Sequence, residues 1–167
     1  MNEKEQYIEY IQNHIMLVNY ACKNVKHLLL DHLDFNIDDL TKRCLKHDKS
    51  KYSIEEFDAY RQYFYPRKDE TPDENIFQLA WKHHYTNNDH HPEYFSYTGV
   101  VREMPDICIA EMLCDWIAMS MNFNNSVVDW YNENGKDKFN FHDRTYMKVD
   151  TIIKQPWMKT IHMIKEN

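Results

Sequence analysis

This sequence predicts an all-α fold, a compact helical bundle with a buried metal site, and three observations predict it. Only 2 Gly and 5 Pro interrupt 167 residues, so long segments run without the residues that break regular structure. Apolar side chains recur at steps of three and four, the helical period, and β-branched runs are scarce. Ten histidines are far more than ordinary usage, and six of them (His14, His47, His83, His84, His90, His91) fall within or beside the periodic segments. The length suits a single domain over 1–167, with residues from about 135 onward as a C-terminal helical extension.

The first helix is expected from residue 3 to about 33, where Ile8, Ile11, Ile15, Val18, Cys22, Val25 and Leu29 make one apolar seam and His14 stands beside it. Asn36 and Asp39 predict the start of a short second helix that ends at His47-Asp48. Ser53-Ile54-Glu55-Glu56 reads as a capping box opening a third helix, with Phe57, Tyr60 and Phe64 on one side. Thr71-Pro72-Asp73-Glu74 reads as a second capping box with Pro at the first helical position. On the helix it opens, Phe77, Trp81 and His84 share a core-facing stripe, with His83 in the adjoining sector. Asn87-Asn88-Asp89 ends that helix, and Pro92 constrains the turn carrying His90 and His91. From Pro105 a helix is expected to run through Ile107 to Val128 with Glu111 and Asp115 as its only charges. Asn132-Glu133-Asn134-Gly135 reads as a loop, and Asp143–Lys154 and Trp157–Lys165 as two closing helices.

Composition excludes several classes. A net charge of -7 opposes general binding to a nucleic-acid backbone, which needs basic stripes. The N-terminus lacks signal-peptide shape, and the most apolar run is broken by Glu111 and Asp115, so no membrane span and a cytoplasmic setting are expected. Cys22, Cys44, Cys108 and Cys114 lie in apolar helical patterns without a Cys-x-x-Cys pair and read as buried reduced thiols.

The chemistry gathers at Lys46-His47-Asp48-Lys49-Ser50-Lys51. An imidazole and a carboxylate in adjacent positions supply the two ligand types that divalent cations take most readily. Ser50 and Lys51 follow, suited to a phosphate, with Asn88 as a further substrate contact. A buried helix carrying Glu111 and Asp115 four apart would lose several kcal/mol unless a cation or hydrogen bonds compensate. The candidate ligands are therefore His14, His47, Asp48, one histidine of His83 and His84, one of His90 and His91, and Asp115. Catalytic roles fall to Asp48, Lys51 and Glu111, the last most simply as a carboxylate that orients a ligating imidazole. Mixed imidazole and carboxylate ligation suits one or two ions of Mn, Fe, Co, Ni or Zn better than Mg alone.

The ligand order, His14, then His47-Asp48, then histidines at 83–84 and 90–91, then Asp115, resembles the HD-domain superfamily of metal-dependent phosphohydrolases. That likeness implies an HD-domain-like all-α bundle in which a first His, a His-Asp pair and a distal Asp hold one metal and intervening histidines a second. Asp48-Lys49-Ser50-Lys51 is similar to the Asp-x-Gly-Lys of its cyclic-dinucleotide phosphodiesterase branch, with Ser50 in place of Gly. A closer resemblance rests on His47-Asp48-x-Ser50-Lys51, Glu56-Phe57, Tyr63-Phe64, Ala80-Trp81-x-His83-His84, Asn88-x-His90-His91, Met104-Pro105 and Glu111-Met112-x-x-Asp115-Trp116. These match an uncharacterised bacterial and phage family known only as a domain of unknown function, over about the first three-quarters of the chain. The resemblance implies hydrolysis of a small phosphorylated substrate, a nucleotide or cyclic nucleotide, by a metal-activated water. A di-iron oxygenase of HD type and a non-catalytic metal- or nucleotide-binding protein are the alternatives, and a homodimer is left open.

Overall fold

The structure, a computed structural model, describes residues 1–135 and 138–164, and every regular element among them is a helix or a helical turn. Helix α1 (Glu3–Leu29) opens on a capping box in which the Asn2 side chain accepts from the Glu5 N–H and the Glu5 carboxylate accepts from the Asn2 N–H. Its seam is buried at Ile11, Val18, Cys22, Val25 and Leu29, with His14 buried beside it. The helix stops at Leu29, short of residue 33. There the Leu29 carbonyl accepts from both His32 and Leu33 in a closing turn that drops Leu33 into the core. Helix α2 (Ile37–Leu45) starts as expected at Asn36, whose side chain accepts from the N–H groups of Asp38 and Asp39. A 3-10 turn, Lys49–Tyr52, follows the His-Asp pair.

Neither of the two expected capping boxes forms. Ahead of α3 (Phe57–Phe64) the Ser53 hydroxyl has no hydrogen-bond partner, and the Glu56 carboxylate turns inward to His83, His84 and Ser50. A carboxylate bound to imidazoles is held more strongly than one bound to a single backbone amide, so the interior contact wins. Ahead of α4 (Glu74–Asn87) the cap is Asp73, which accepts from Asn75 and Ile76, so Pro72 precedes the helix instead of opening it.

Helix α5 (Asp106–Phe123) is the central element and is buried around most of its circumference, from Cys108 through Ser120. It ends at Phe123 rather than Val128 because Asn124 takes the left-handed conformation, φ 50°, and Asn125 donates back to the Ser120 carbonyl. Ser126 then caps a single turn, α6 (Val127–Trp130), and the expected loop at 132–135 is a π-helical turn, Tyr131–Gly135. Helix α7 (Asp143–Ile153) follows. The helix expected at Trp157–Lys165 is instead two 3-10 turns, Pro156–Lys159 and Ile161–Met163, with Lys165 outside the described residues. Met158 and Ile161, three apart, both reach the core, as the three-residue period of that geometry allows.

Helix α1 packs against α5 and α2, while α3 packs on α4 and on the first half of α1. Two apolar clusters result. The larger gathers Val18 to Leu33 of the N-terminal segment, Leu40 and Cys44, most of α5, and Val149, Ile152, Ile153, Met158 and Ile161. The C-terminal residues are thus part of the core, and Thr145 ties α7 to the Met104 N–H. The smaller cluster is Tyr7, Ile11, Tyr60 and Ala80. His14 lies one turn from Ile11 and one from Val18, at the junction of the two. All four cysteines are free and buried, as expected, and among the described residues no helix is long and apolar enough to cross a membrane.

The corrected start of α4 is directly testable. Asp73→Ala should cost about 1 kcal/mol, the usual loss for an Asp cap, whereas Thr71→Ala should stay within about 0.5 kcal/mol. Chemical denaturation of the two variants measures both; a larger loss for Thr71→Ala would restore the cap that the sequence suggested.

Candidate metal centre

Each ligand candidate is placed by a local feature of the chain. His14 projects from α1 at the junction of the clusters. His47 and Asp48 follow the end of α2, and Asp48 adopts the left-handed conformation, φ 53°, ψ 23°. Asp is one of the few residues besides Gly that enter this region readily, at a cost on the order of 1–3 kcal/mol. His84 sits in the last turn of α4. His91 is held extended by Pro92, as the residue before a proline should be. Glu111 and Asp115 are one turn apart on α5.

These residues converge on Asp48. Its Oδ1 lies 3.5 Å from His47 Nε2, 3.3 Å from His84 Nε2 and 3.5 Å from His90 Nε2. Its Oδ2 lies 3.5 Å from His14 Nε2 and 2.7 Å from Lys51 Nζ. Asp115 Oδ1 stands 3.1 Å from His14 Nε2 and 3.7 Å from His47 Nε2. Two ligand atoms about 2.0–2.2 Å from one ion stand about 3.0–3.6 Å apart, so these separations fit shared cations. Several sets each bring ligand atoms within 4.8 Å of one another: His14, His47 and Asp48; His47, His90 and Asp115; and Asp48, His84, His90 and His91. Asp48 belongs to the first and the last. His47 Nε2, Asp48 Oδ1, His90 Nε2 and His91 Nε2 are buried without a hydrogen-bond partner. Buried polar atoms left unpaired are costly, and four of them facing one another are what a cation would satisfy.

A second layer fixes the imidazoles. Glu111 Oε1 faces His47 Nδ1 at 3.0 Å and His90 Nδ1 at 3.5 Å, while its Oε2 accepts from Arg43 Nε at 2.6 Å. Arg43 is held in turn by Asp89. On the other side Glu56 Oε2 faces His84 Nδ1 at 2.8 Å and its Oε1 faces His83 Nδ1 at 2.7 Å. Ser50 donates to Glu56, and Asn88 donates to Ser50 and to the His84 carbonyl. A carboxylate at Nδ1 keeps the proton there and leaves Nε2 free to ligate.

The charges are strongly coupled. Burial works against a proton on His47, yet the carboxylates of Asp48, Asp115 and Glu111 push it up to about 10. Burial also opposes charge on Asp48 and Asp115, but the surrounding imidazoles, with Lys51 at Asp48, hold both well below the usual carboxylate range. Burial keeps His90 and His91 below the ordinary imidazole value, the neutral form that ligates.

The structure therefore brings together His14, His47, Asp48, His84, His90, His91 and Asp115, all expected as ligands. Of the pair at 83–84 it selects His84; His83 is a partner of Glu56. Lys51 is at Asp48 as expected. Glu111 does not enter the ligand set and orients His47 from behind. Ser50 and Asn88, expected at the substrate, are engaged in positioning His84. Two residues beyond the sequence expectation matter here: Glu56, expected as a cap, and Arg43, whose signal was a cation in the last turn of α2 just before the His-Asp pair. Cys22, Cys44 and Cys114 also meet within 4.8 Å in the larger core.

A family profile described as "Family of unknown function (DUF5662)" matches residues 3–155, reaching further toward the C-terminus than the motifs read from the sequence. Neither the curated proteins nor the solved structures yield a match.

The second layer predicts a graded loss. Glu111→Gln and Glu56→Gln should each weaken metal binding by about 10- to 100-fold without abolishing it. Competition against a chromophoric chelator gives the affinities. Unchanged binding in either variant would show that its carboxylate only packs.

Proposed function

Given that the chain belongs to DUF5662, a family of unknown function, we propose that it is a metal-dependent phosphohydrolase acting on a small phosphorylated substrate of nucleotide type. The observation that carries this reading is Asp48, shared between two facing groups of imidazole and carboxylate ligands. His14, His47 and Asp48, and Asp48 with His84, His90 and His91, would hold a divalent cation there, and they follow the ligand order that resembles the HD superfamily. Imidazole-rich ligation favours Mn, Fe, Co, Ni or Zn over Mg.

A divalent cation held there supplies Lewis acidity toward a phosphoryl oxygen and lowers the pKa of a water toward neutrality. The chain's own residues do the rest. Asp48 and Asp115 carry the negative charge that retains the cations. Glu111 and Glu56 hold the Nδ1 protons of His47 and His84, so that Nε2 of each points inward. Lys51, with its ammonium 2.7 Å from Asp48, adds a positive charge beside the ligand set, where charge builds on phosphoryl oxygens during transfer. Its side chain is only 12% exposed, which keeps that charge from being screened by water.

Elemental analysis of the purified protein, followed by turnover of bis(p-nitrophenyl) phosphate and of nucleotides with Mn, Co, Fe and Mg, tests the proposal. Bound metal with no phosphate ester cleaved under any of these conditions would overturn it, and oxygen uptake by the iron-loaded protein would favour the oxygenase chemistry instead. Two variants should separate: Asp48→Ala loses metal and turnover together, whereas Lys51→Ala keeps metal and loses about 100-fold in rate. Equal loss of metal in both would make Lys51 part of the binding site rather than of the reaction.

A further inference from the structure

The ligand set is largely buried, and Asp115 is its more exposed carboxylate. The side chains of His14, His47, Asp48, His84 and His90 are at most 5% exposed, whereas Asp115 reaches 14%. Asp115 and His91 border a cavity of about 220 Å³ whose wall carries the rings of Trp81, Trp116, Phe123, Trp130 and Phe139, with Glu93, Ser120, Asn125 and Lys138 as further polar lining. A second hollow, edged by Lys42, Arg43 and Lys46, has His47, Asp48, His90 and Glu111 in its wall. The aromatic cavity adjoins the ligand set at Asp115 and His91.

That cavity is smaller than the roughly 300–1,000 Å³ of pockets that enclose whole ligands, and is suited to one ring system of a larger molecule. Trp116 and Phe139 lie nearly parallel, 17° apart with centroids 5.3 Å apart, and Trp130 crosses Trp116 at 65°. Flat aromatic faces of this kind hold nucleobases by stacking, whatever the base. Selection needs a directed polar group, and Glu93 supplies one. It lines the cavity from the turn after His91. A carboxylate oxygen accepts from an exocyclic amino group, as on cytosine, adenine or guanine. The carbonyl that uracil carries in place of cytosine's amino group would set two acceptors face to face.

We propose that this cavity takes the base of a nucleotide whose phosphate lies at the metal centre, and that Glu93 selects bases bearing an exocyclic amino group. The placement of the phosphate rests on the phosphohydrolase reading; the binding of the base does not, and can be measured without metal.

The protein reports on the cavity itself, because Trp81, Trp116 and Trp130 line it. Chelator-treated and metal-loaded protein are titrated with cytidine monophosphate, uridine monophosphate and ribose 5-phosphate while tryptophan emission is followed. Saturable quenching by the cytidine nucleotide is expected, about tenfold tighter than by the uridine one, with none from ribose 5-phosphate. Glu93→Gln, whose amide both donates and accepts, should bring the two nucleotides to about equal affinity. Phe123→Ala, at a position 63% exposed where truncation spares the fold, should weaken both and keep their ratio. Absence of saturable quenching, equal affinities in the unaltered protein, or an unchanged ratio in Glu93→Gln would each overturn the proposal. Cleavage of bis(p-nitrophenyl) phosphate is followed in parallel. Base binding without any phosphate-ester cleavage would count against the hydrolase alone, and cleavage without base binding against the cavity assignment alone.

Discussion

A buried carboxylate in contact with four imidazoles and an ammonium is the constraint on which the rest of this molecule depends. Asp48 sits in a left-handed corner between α2 and a 3-10 turn, and its two oxygens meet groups from α1, from α4, from the loop before Pro92 and from the turn after it. An uncompensated charge in such a place would cost several kcal/mol. The helices therefore have to arrive together, in the right register, or the carboxylate stays exposed. Helix α5 supplies the complement from below with Asp115 and Glu111, and its otherwise apolar surface makes these two acids the only charged groups in a long buried stretch.

The two halves of the centre use the same device. On one side Arg43 holds Glu111 against the outer nitrogens of His47 and His90; on the other, Ser50 and His83 hold Glu56 against the outer nitrogen of His84. In both cases a carboxylate buried by the fold fixes an imidazole tautomer, and a polar neighbour from a different segment fixes the carboxylate. His14 is the exception: its Nδ1 is buried without a partner, so its ring is oriented by packing, stacked 6.2 Å from Tyr10.

The fold class and the side chains that gather around Asp48 were legible, the first from local regularities and the second largely from the order of His and Asp along the chain. A seam repeating at three and four residues declares α1, and adjacency of His47 to Asp48 requires no knowledge of tertiary contacts. What the sequence hid was competition. Ser53 and Glu56 have the spacing of a capping box, but a spacing rule cannot see that His83 and His84, far along the chain, offer that carboxylate stronger partners. Thr71 lost to Asp73 because two good capping residues stood two apart and only the path of the chain chose between them. The break of α5 at Asn124 was hidden because the apolar pattern continues across it into Val127 and Val128. Glu93 was hidden for a related reason: its meaning lies in a cavity assembled from five separate stretches of the chain.

The polar centre also lies between two apolar clusters of very unequal size. The smaller one, Tyr7, Ile11, Tyr60 and Ala80 with its partly buried neighbours, has too little apolar surface to hold α3 and α4 in place unaided. Those helices are joined to the rest of the chain by the packing of α3 on α1 and through Glu56, His84 and the residues they meet at Asp48. The charged layer is thus a seam between a self-sufficient body and a dependent one. The local stability of this part of the protein therefore depends on electrostatics as well as on its own small hydrophobic core.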